Sequence, residues 1–216
     1  MQEATGILGG TFDPIHLGHL RLAQEVADAL ALRAVRFVPG GIPPHRALPQ
    51  TPVADRVAMV KLAITDNPLF MLDERETRRP GPSYTVDTLS ELRAELGAPC
   101  PLVLMMGVDV FLGLMSWHRW QEIFALAHVA VAHRPGSILD EMPSALAQEF
   151  TQRRSVDLQA VHRAPSGVLV EVPITALDIS ATRVRALVRE KRSARYLMPP
   201  SVFEYVNSNR LFLKDK

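Results

Sequence analysis

Short apolar runs alternate with stretches of helical periodicity along this chain. The runs that predict buried strands are Ala4–Leu8, Val35–Val38, Leu69–Leu72, Leu102–Met106, Val129–Ala132 and Val168–Val172. Strands that are separated by helices are typical of βαβ units, in which the strands run parallel. The pattern therefore predicts an α/β fold, with an open, mostly parallel sheet and helices on both of its faces.

The segments between these runs carry apolar residues at helical spacing, which predicts helices that pack against the sheet. One predicted face consists of Ala23, Val26, Ala27 and Leu30, and another of Val53, Val57, Val60 and Ile64. Further helices are predicted over Tyr84–Leu96, after Ser180 and after Pro199. We interpret these stripes as core packing and not as functional surfaces.

The length of 216 residues suits one domain with a sizeable core. Residues 136–167 are the hardest part to interpret, with a helix indicated near Ser144–Gln152, and we take them as a peripheral excursion. Because no linker-like composition flanks this segment, we predict a single domain over residues 1–216.

Charge and cysteine content narrow the function classes. The formal net charge of +1 gives no reason to expect binding to nucleic acid or to an anionic membrane. The single Cys100 excludes an intramolecular disulfide, and we expect a cytoplasmic protein. No apolar run has the length of a membrane span, and the start of the chain does not resemble a secretory signal. Whether the chain forms a homo-oligomer is left open.

The segment Gly9–His19 reads GGTFDPIHLGH and follows the first predicted strand. Two glycines let the backbone approach a ligand closely, and the helix that follows directs its free N–H groups to the same place. His16 and His19 lie three residues apart, so their rings share one helix face. A glycine pair or a histidine near a helix start is usually structural when it occurs alone. The full string predicts a nucleotide phosphate site.

Other polar segments follow the predicted strands and should meet at the same sheet edge. They are Pro39–Arg46, Gly107–Asp109 and His133–Gly136. Asp109 is either a helix cap or a group that accepts hydrogen bonds from ribose hydroxyls or bears on a metal ion. The Pro43-Pro44 pair either forms a rigid turn with solvated basic residues or presents His45 and Arg46 to a ligand.

Two further helix starts carry candidate ligand groups. Thr85 opens one helix, where the free N–H groups either have ordinary caps or bind a ligand carboxylate. Trp117 is either core or a flat face on which a heteroaromatic ring stacks. The segment Ile179–Arg185 combines an N-cap serine with hydroxyl and guanidinium groups in the first turns, a combination that suits phosphate.

Taken together, these motifs resemble those of the bacterial nicotinate-nucleotide adenylyltransferases, which are H-x-G-H nucleotidyltransferases. The similarity runs from Gly9–Pro14 through Pro43–His45, Pro82–Thr85 and Trp117 to Ile179–Thr182 and the Tyr205–Leu211 ending. The resemblance implies a Rossmann-like domain that makes deamido-NAD and pyrophosphate from ATP and nicotinate mononucleotide. It also implies Mg²⁺ that is held mainly by the phosphates, and it assigns no metal ligand among the protein side chains.

The resemblance also assigns roles to single residues. For ATP binding they are Gly9, Gly10, Thr11, Phe12, Gly107, Asp109, Arg134, Ile179 and Thr182. For catalysis they are His16, His19, Ser180 and Arg185, and for nicotinate mononucleotide Pro44, His45, Arg46, Thr85 and Trp117. Because the attacking phosphate is already ionised, the chemistry needs alignment and charge stabilisation and no general base.

Two positions depart from the family's usual pattern. Many relatives have asparagine where this chain has Gly40-Gly41, and many have tyrosine where it has His118. The alternatives that remain are adenylyl transfer to nicotinamide mononucleotide or to another phosphorylated acceptor, and a nucleotide sensor without activity. The sensor is disfavoured because both histidines of the H-x-G-H motif are present.

Overall fold

One parallel sheet forms the centre of the protein, as seen in a computed structural model that describes residues 3–42, 49–133, 142–175 and 177–213. Its seven strands lie in the order β3-β2-β1-β4-β5-β7-β6, and every pair is parallel. The strands are β1 Thr5–Gly10, β2 Ala34–Pro39, β3 Phe70–Leu72, β4 Leu102–Gly107, β5 His128–His133, β6 Arg154–Ser155 and β7 Leu169–Pro173. The predicted α/β sheet is therefore confirmed.

The order in which strands are added to the sheet reverses at β1, which lies between β2 and β4. The register of β1 with β2 runs to the end of both strands, where Gly10 is opposite Pro39. The register of β1 with β4 stops earlier, at Ile7 opposite Leu104. The carboxyl ends of β1 and β4 therefore separate and leave a crevice, as expected where the strand order reverses.

Helices cover both faces of the sheet. They are α1 Leu17–Ala29, α2 Val53–Ile64, α3 Arg75–Arg78, α4 Thr85–Leu96, α5 Val108–Leu112, α6 Ile123–Leu126, α7 Ser144–Arg153, α8 Ala181–Arg189 and α9 Pro200–Ser208. Short 3-10 helices span Leu114–Ser116, Trp120–Glu122 and Leu158–His162. None of the described helices is long and apolar enough to cross a membrane.

Each face has its own apolar core, because successive side chains of a strand point to opposite sides of the sheet. One core joins β-strand residues such as Leu8 and Phe37 to α1, α2, α8 and α9. The other joins the alternate strand residues, such as Ile7 and Val38, to α4, α5, α6 and α7. This arrangement confirms the prediction of helices on both faces.

Two details differ from the sequence prediction. The edge strand β6 was not predicted, because it contains only two residues and has no apolar run. In α2 the buried stripe includes Arg56 and Met59, whereas Val53 and Val57 are half-buried. The described part of residues 136–167 holds α7, β6 and the 3-10 helix Leu158–His162, and it contributes a fully buried side chain to each core.

Candidate active site

A cavity of about 960 Å³ lies at the carboxyl edge of the sheet. The predicted site residues that line it are Gly10, Thr11, Phe12, His16, His19, Gly107, Asp109, Ile179, Ser180, Thr182 and Arg185. These residues come from the ends of β1 and β4 and the segments after β1, β4 and β7, so the predicted meeting of these segments at one crevice is confirmed. The described part of Pro39–Arg46, which was predicted to join them, contributes no residue to the lining. Their individual roles remain predictions.

Several predicted residues do not line this cavity. Gly9 lies at the end of β1 with open space beside its Cα, and Thr85 and Trp117 lie at the start of α4 and after the first 3-10 helix. Pro44, His45, Arg46 and Arg134 fall outside the described residues.

The turn between β1 and α1 is tightly packed around Phe12. This residue has a left-handed backbone conformation with φ of 50°, which costs a side-chain-bearing residue about 1–2 kcal/mol. Its buried ring meets His19 edge to face, with 5.1 Å between ring centroids, and a Cβ on Gly10 would lie only 3.0 Å from it. The missing side chain at Gly10 therefore lets Phe12 fold back under the turn.

His16 and His19 form a stacked pair at the start of α1, with ring centroids 3.7 Å apart and planes 25° apart. The His16 backbone N–H donates to Nδ1 of His19 over 3.3 Å. Because Nδ1 accepts this bond, the neutral His19 ring carries its proton on Nε2. His19 can therefore present an N–H donor to a ligand in the cavity while remaining uncharged.

Burial keeps both rings neutral near pH 7. It lowers the pKa of His16 to about 4 and lowers the pKa of His19 well below its usual value, with a further contribution from the neighbouring His16. A Cβ on Gly18 would lie 3.0 Å from Nδ1 of His16 and 3.5 Å from the Ile179 carbonyl oxygen. The glycine between the histidines thus lets the segment before α8 approach the pair.

The lowered pKa of His16 should make the unfolding free energy depend on pH. The unfolded chain takes up a proton near pH 6.5, whereas the folded chain resists it down to about pH 4, so His16 destabilises the fold as pH falls through this window. Between pH 7 and pH 5 this amounts to about 2 kcal/mol. Asparagine is a favourable N-cap residue. The parent protein should therefore lose unfolding free energy when the pH falls from 7 to 5. We expect this loss to be smaller by about 2 kcal/mol in His16→Asn, as measured by urea titration at both pH values.

The parent protein, measured at the same pH values, provides the reference for this comparison. An identical loss of stability in the parent and in His16→Asn would contradict the assignment of the acid-sensitive group.

The start of α8 forms the opposite wall of the cavity. The Ser180 side chain accepts a hydrogen bond from the Arg183 backbone N–H over 3.2 Å and thereby caps the helix. Nη1 of Arg185 donates to the Asp13 carbonyl oxygen over 2.7 Å, and Nη2 donates to Oγ1 of Thr182 over 3.3 Å. Arg185 is therefore held between α8 and the turn after β1. The cavity presents guanidinium, hydroxyl, imidazole and helix N–H groups to an anion.

A second group of residues continues from this cavity along the sheet edge. The Gly40 N–H donates to the Gly10 carbonyl over 2.9 Å, and the Gly41 N–H donates to Oγ of Ser83 over 3.0 Å. Ser83 directly precedes Tyr84, the N-cap residue of α4, whose ring packs against that of His118 with 4.4 Å between ring centroids. The loop after β2, the start of α4 and the segment next to Trp117 are therefore contiguous.

The start of α4 differs from that of α8 in its cap. Its N-cap residue is Tyr84, whose side chain makes no capping hydrogen bond, and the helix begins at Thr85. Backbone N–H groups in the first turn of a helix have no partner within the helix. The N–H groups of Thr85 and Val86 are thus suited to bind a carboxylate, and the half-buried Trp117 is suited to stack on a ring.

Sequence analysis missed two buried charged residues beneath the site. Asp13 is 4% exposed, and its carboxylate accepts hydrogen bonds from the Gln50 N–H and the Thr51 hydroxyl. Arg56 is 1% exposed and binds backbone carbonyl groups. Asp13 lies inside the Gly9–His19 string and could have been noted there. Arg56 has no such signal, because an arginine within an amphipathic helix usually faces solvent.

Comparisons with known proteins agree with this geometry. Residues 7–187 match the family model described as cytidylyltransferase-like. The chain is 50% identical to a probable nicotinate-nucleotide adenylyltransferase of Dechloromonas aromatica over 98% of this chain and 99% of that protein. It is 48% identical to the one of Aeromonas hydrophila over 98% of both. Its fold matches Plasmodium falciparum nicotinic acid mononucleotide adenylyltransferase complexed with NaAD, at 16% identity over 98% of both chains and a TM-score of 0.73.

Proposed function

Because the chain belongs to the nicotinate-nucleotide adenylyltransferases of the cytidylyltransferase-like family, we propose that it transfers the adenylyl group of ATP to nicotinate mononucleotide. The products are nicotinic acid adenine dinucleotide, which is deamido-NAD, and pyrophosphate. The observation that carries this proposal is the cavity in which His16, His19, Ser180 and Arg185 meet at the sheet edge.

The reaction needs alignment more than proton transfer. A phosphate oxygen of the mononucleotide attacks the α-phosphorus of ATP, a new P–O bond forms, and the bond to the β-phosphate breaks with its electron pair leaving on pyrophosphate. The attacking oxygen is already ionised at neutral pH, so no proton has to be removed from it. The neutral histidines and Arg185 stabilise charge on the phosphates, and the capped start of α8 contributes through Ser180 and Thr182.

ATP occupies the cavity between the turn after β1 and α8. Gly9, Gly10, Thr11 and Phe12 provide backbone that a phosphate can approach. Gly107 ends β4, Asp109 lies in the first turn of α5, and both line the same cavity, where the Asp109 carboxylate can accept hydrogen bonds from ribose hydroxyls. We assign Ile179 to the same binding site, together with Arg134, which lies outside the described residues.

Nicotinate mononucleotide occupies the contiguous region along the loop after β2. The first-turn N–H groups of α4, beginning at Thr85, suit its carboxylate, and Trp117 suits its ring. We assign Pro44, His45 and Arg46 to mononucleotide binding by the family resemblance alone, since they lie outside the described residues. A bound mononucleotide would then direct its phosphate towards the cavity that holds ATP.

Mg²⁺ fits this site as an ion carried by the phosphates. The Asp13 carboxylate in the cavity wall is engaged by Gln50 and Thr51, whereas the histidines, Ser180 and Arg185 present donors. Such a donor set suits phosphate oxygens, and Mg²⁺ usually keeps water and phosphate oxygens as its ligands. When bound, the ion would neutralise charge on the departing pyrophosphate.

The proposal is tested by mass-spectrometric detection of products. The purified protein is incubated with ATP, Mg²⁺ and, in separate reactions, nicotinate mononucleotide, nicotinamide mononucleotide or phosphopantetheine. We expect a dinucleotide and pyrophosphate with the pyridine nucleotides and the greatest yield with the nicotinate form. Product formed only with phosphopantetheine would assign another acceptor, and binding of ATP without any product would favour the sensor alternative.

We also propose that the protein is located in the cytoplasm.

A further inference from the structure

Arg56 lies beneath the active-site cavity and joins the two loops that border it. Its Nη1 donates to the carbonyl oxygens of Thr11 and Gly40, each over 2.7 Å, and its Nη2 donates to the carbonyl of Gly41 over 3.2 Å. Thr11 belongs to the turn after β1, which borders the ATP half of the site. Gly40 and Gly41 belong to the loop after β2, which borders the mononucleotide half.

The placement of this guanidinium is unusual for a structural arginine. Only 1% of Arg56 is exposed, its Nε is buried without a hydrogen-bond partner among the described residues, and none of the described carboxylates lies within ion-pair distance. A buried charge that binds only neutral carbonyl groups is expensive to maintain. Burial lowers the pKa of Arg56, and the nearby Asp13 carboxylate opposes that shift.

The planar shape of the guanidinium explains why a charged group is buried here despite the desolvation cost. Nη1 joins the two loops by donating to Thr11 and Gly40, and Nη2, held at a fixed angle to it, donates to Gly41. A point charge on a flexible stem does not hold these three bonds in the same geometry. The same two loops also meet directly, through the Gly40 N–H and the Gly10 carbonyl. On the far side of the loop after β2, Asp13 binds Gln50 and Thr51, so the turn after β1 is tied to residues on both sides of positions 42–49.

We propose that Arg56 is a positioning residue that fixes the turn after β1, on the ATP side, relative to the loop after β2, on the mononucleotide side. It touches neither substrate in this assignment, which rests on the function proposed above. Each loop still binds its own substrate when the other moves, but in-line attack requires the two substrates to be aligned. A displacement of about 1 Å between reacting groups can lower a rate by about 100-fold.

Arg93 provides a matched control at the opposite edge of the sheet. Its guanidinium also donates to backbone carbonyls that precede β4, β5 and β7, those of Ala98, Cys100, Leu126 and Pro165. Arg93→Met therefore removes an arginine that also donates to several backbone carbonyls, but in the last turn of α4, away from the crevice. Both substitutions should lower the melting temperature.

The experiment compares Arg56→Met, Arg56→Lys and Arg93→Met by steady-state kinetics with ATP and nicotinate mononucleotide, scaled to the folded fraction. We expect Arg56→Met to lower kcat by about 10- to 100-fold, more than it changes either KM, and Arg93→Met to leave kcat within about twofold. Arg56→Lys keeps the charge and hydrogen-bond donors at this position, so it should destabilise the fold less than Arg56→Met and show an intermediate loss of kcat.

Hydrogen exchange at the Gly40 and Gly41 amides gives a readout that does not depend on turnover. Protection at both amides should fall in Arg56→Met and stay unchanged in Arg93→Met. Full kcat in folded Arg56→Lys, or equal losses of kcat in Arg56→Met and Arg93→Met, would overturn the positioning role. A parent protein without activity would instead refute the proposed function, and the exchange data would still test the link between the loops.

Discussion

Replacing His19 by alanine is expected to lower kcat by about 100- to 1000-fold while ATP binding weakens far less. Removal of one donor to charge that develops in a transition state typically has this effect. His19 suits the role because its Nδ1 is occupied by the His16 N–H, which leaves Nε2–H as the donor. The measurement is kcat and KM for ATP at saturating nicotinate mononucleotide.

Two variants make this prediction specific. His19→Gln keeps a neutral N–H donor, so it should retain more turnover than His19→Ala. His162 contacts the Leu30 carbonyl at the end of α1, 2.7 Å from its Nε2, and lies outside the cavity lining. His162→Ala should therefore keep the parent kcat. Near-full turnover in folded His19→Ala would show that the catalytic assignment is wrong.

Most of the fold could be predicted from the sequence, because buried parallel strands consist of continuous apolar runs. The run Leu102–Met106 corresponds to β4, and the run Val168–Val172 corresponds to β7 with a shift of one residue at each end. The two-residue strand β6 could not be predicted, since it owes its place to its pairing with Leu169 and Val170 and not to its own composition.

The cavity was also predictable, because its main parts are carried by local motifs after successive strands. The turn after β1 and the start of α8 each combine a special backbone shape with polar side chains, and the sheet brings them together. Arg56 could not be found in this way. Its partners are the carbonyl oxygens of Thr11, Gly40 and Gly41, and backbone acceptors leave no trace in the sequence.

The pocket for the pyridine ring also depends on backbone groups, which residue types do not reveal. Its proposed donors are the backbone N–H groups at the start of α4. A nicotinate carboxylate accepts hydrogen bonds only, whereas the nicotinamide group turns an NH₂ towards at least one donor. Each polar group left unpaired in a buried site costs about 1–3 kcal/mol, or roughly ten- to a hundredfold in kcat/KM. We expect at least this preference for nicotinate mononucleotide over nicotinamide mononucleotide, measured with the same ATP and Mg²⁺.

Thr85 allows the donor itself to be tested. Proline is well tolerated at the first position of a helix, where it removes only a free N–H, and the extended backbone of Tyr84 suits a following proline. Thr85→Pro should therefore preserve α4 and reduce the preference for the nicotinate substrate by about tenfold or more. Thr85→Ala keeps the N–H and removes the hydroxyl together with one methyl group, so it shows whether the N–H or the hydroxyl sets the preference. An unchanged preference in Thr85→Pro would exclude this N–H as the group that reads the carboxylate. Equal kcat/KM values for both mononucleotides in the parent protein would reject the nicotinate assignment and leave adenylyl transfer standing.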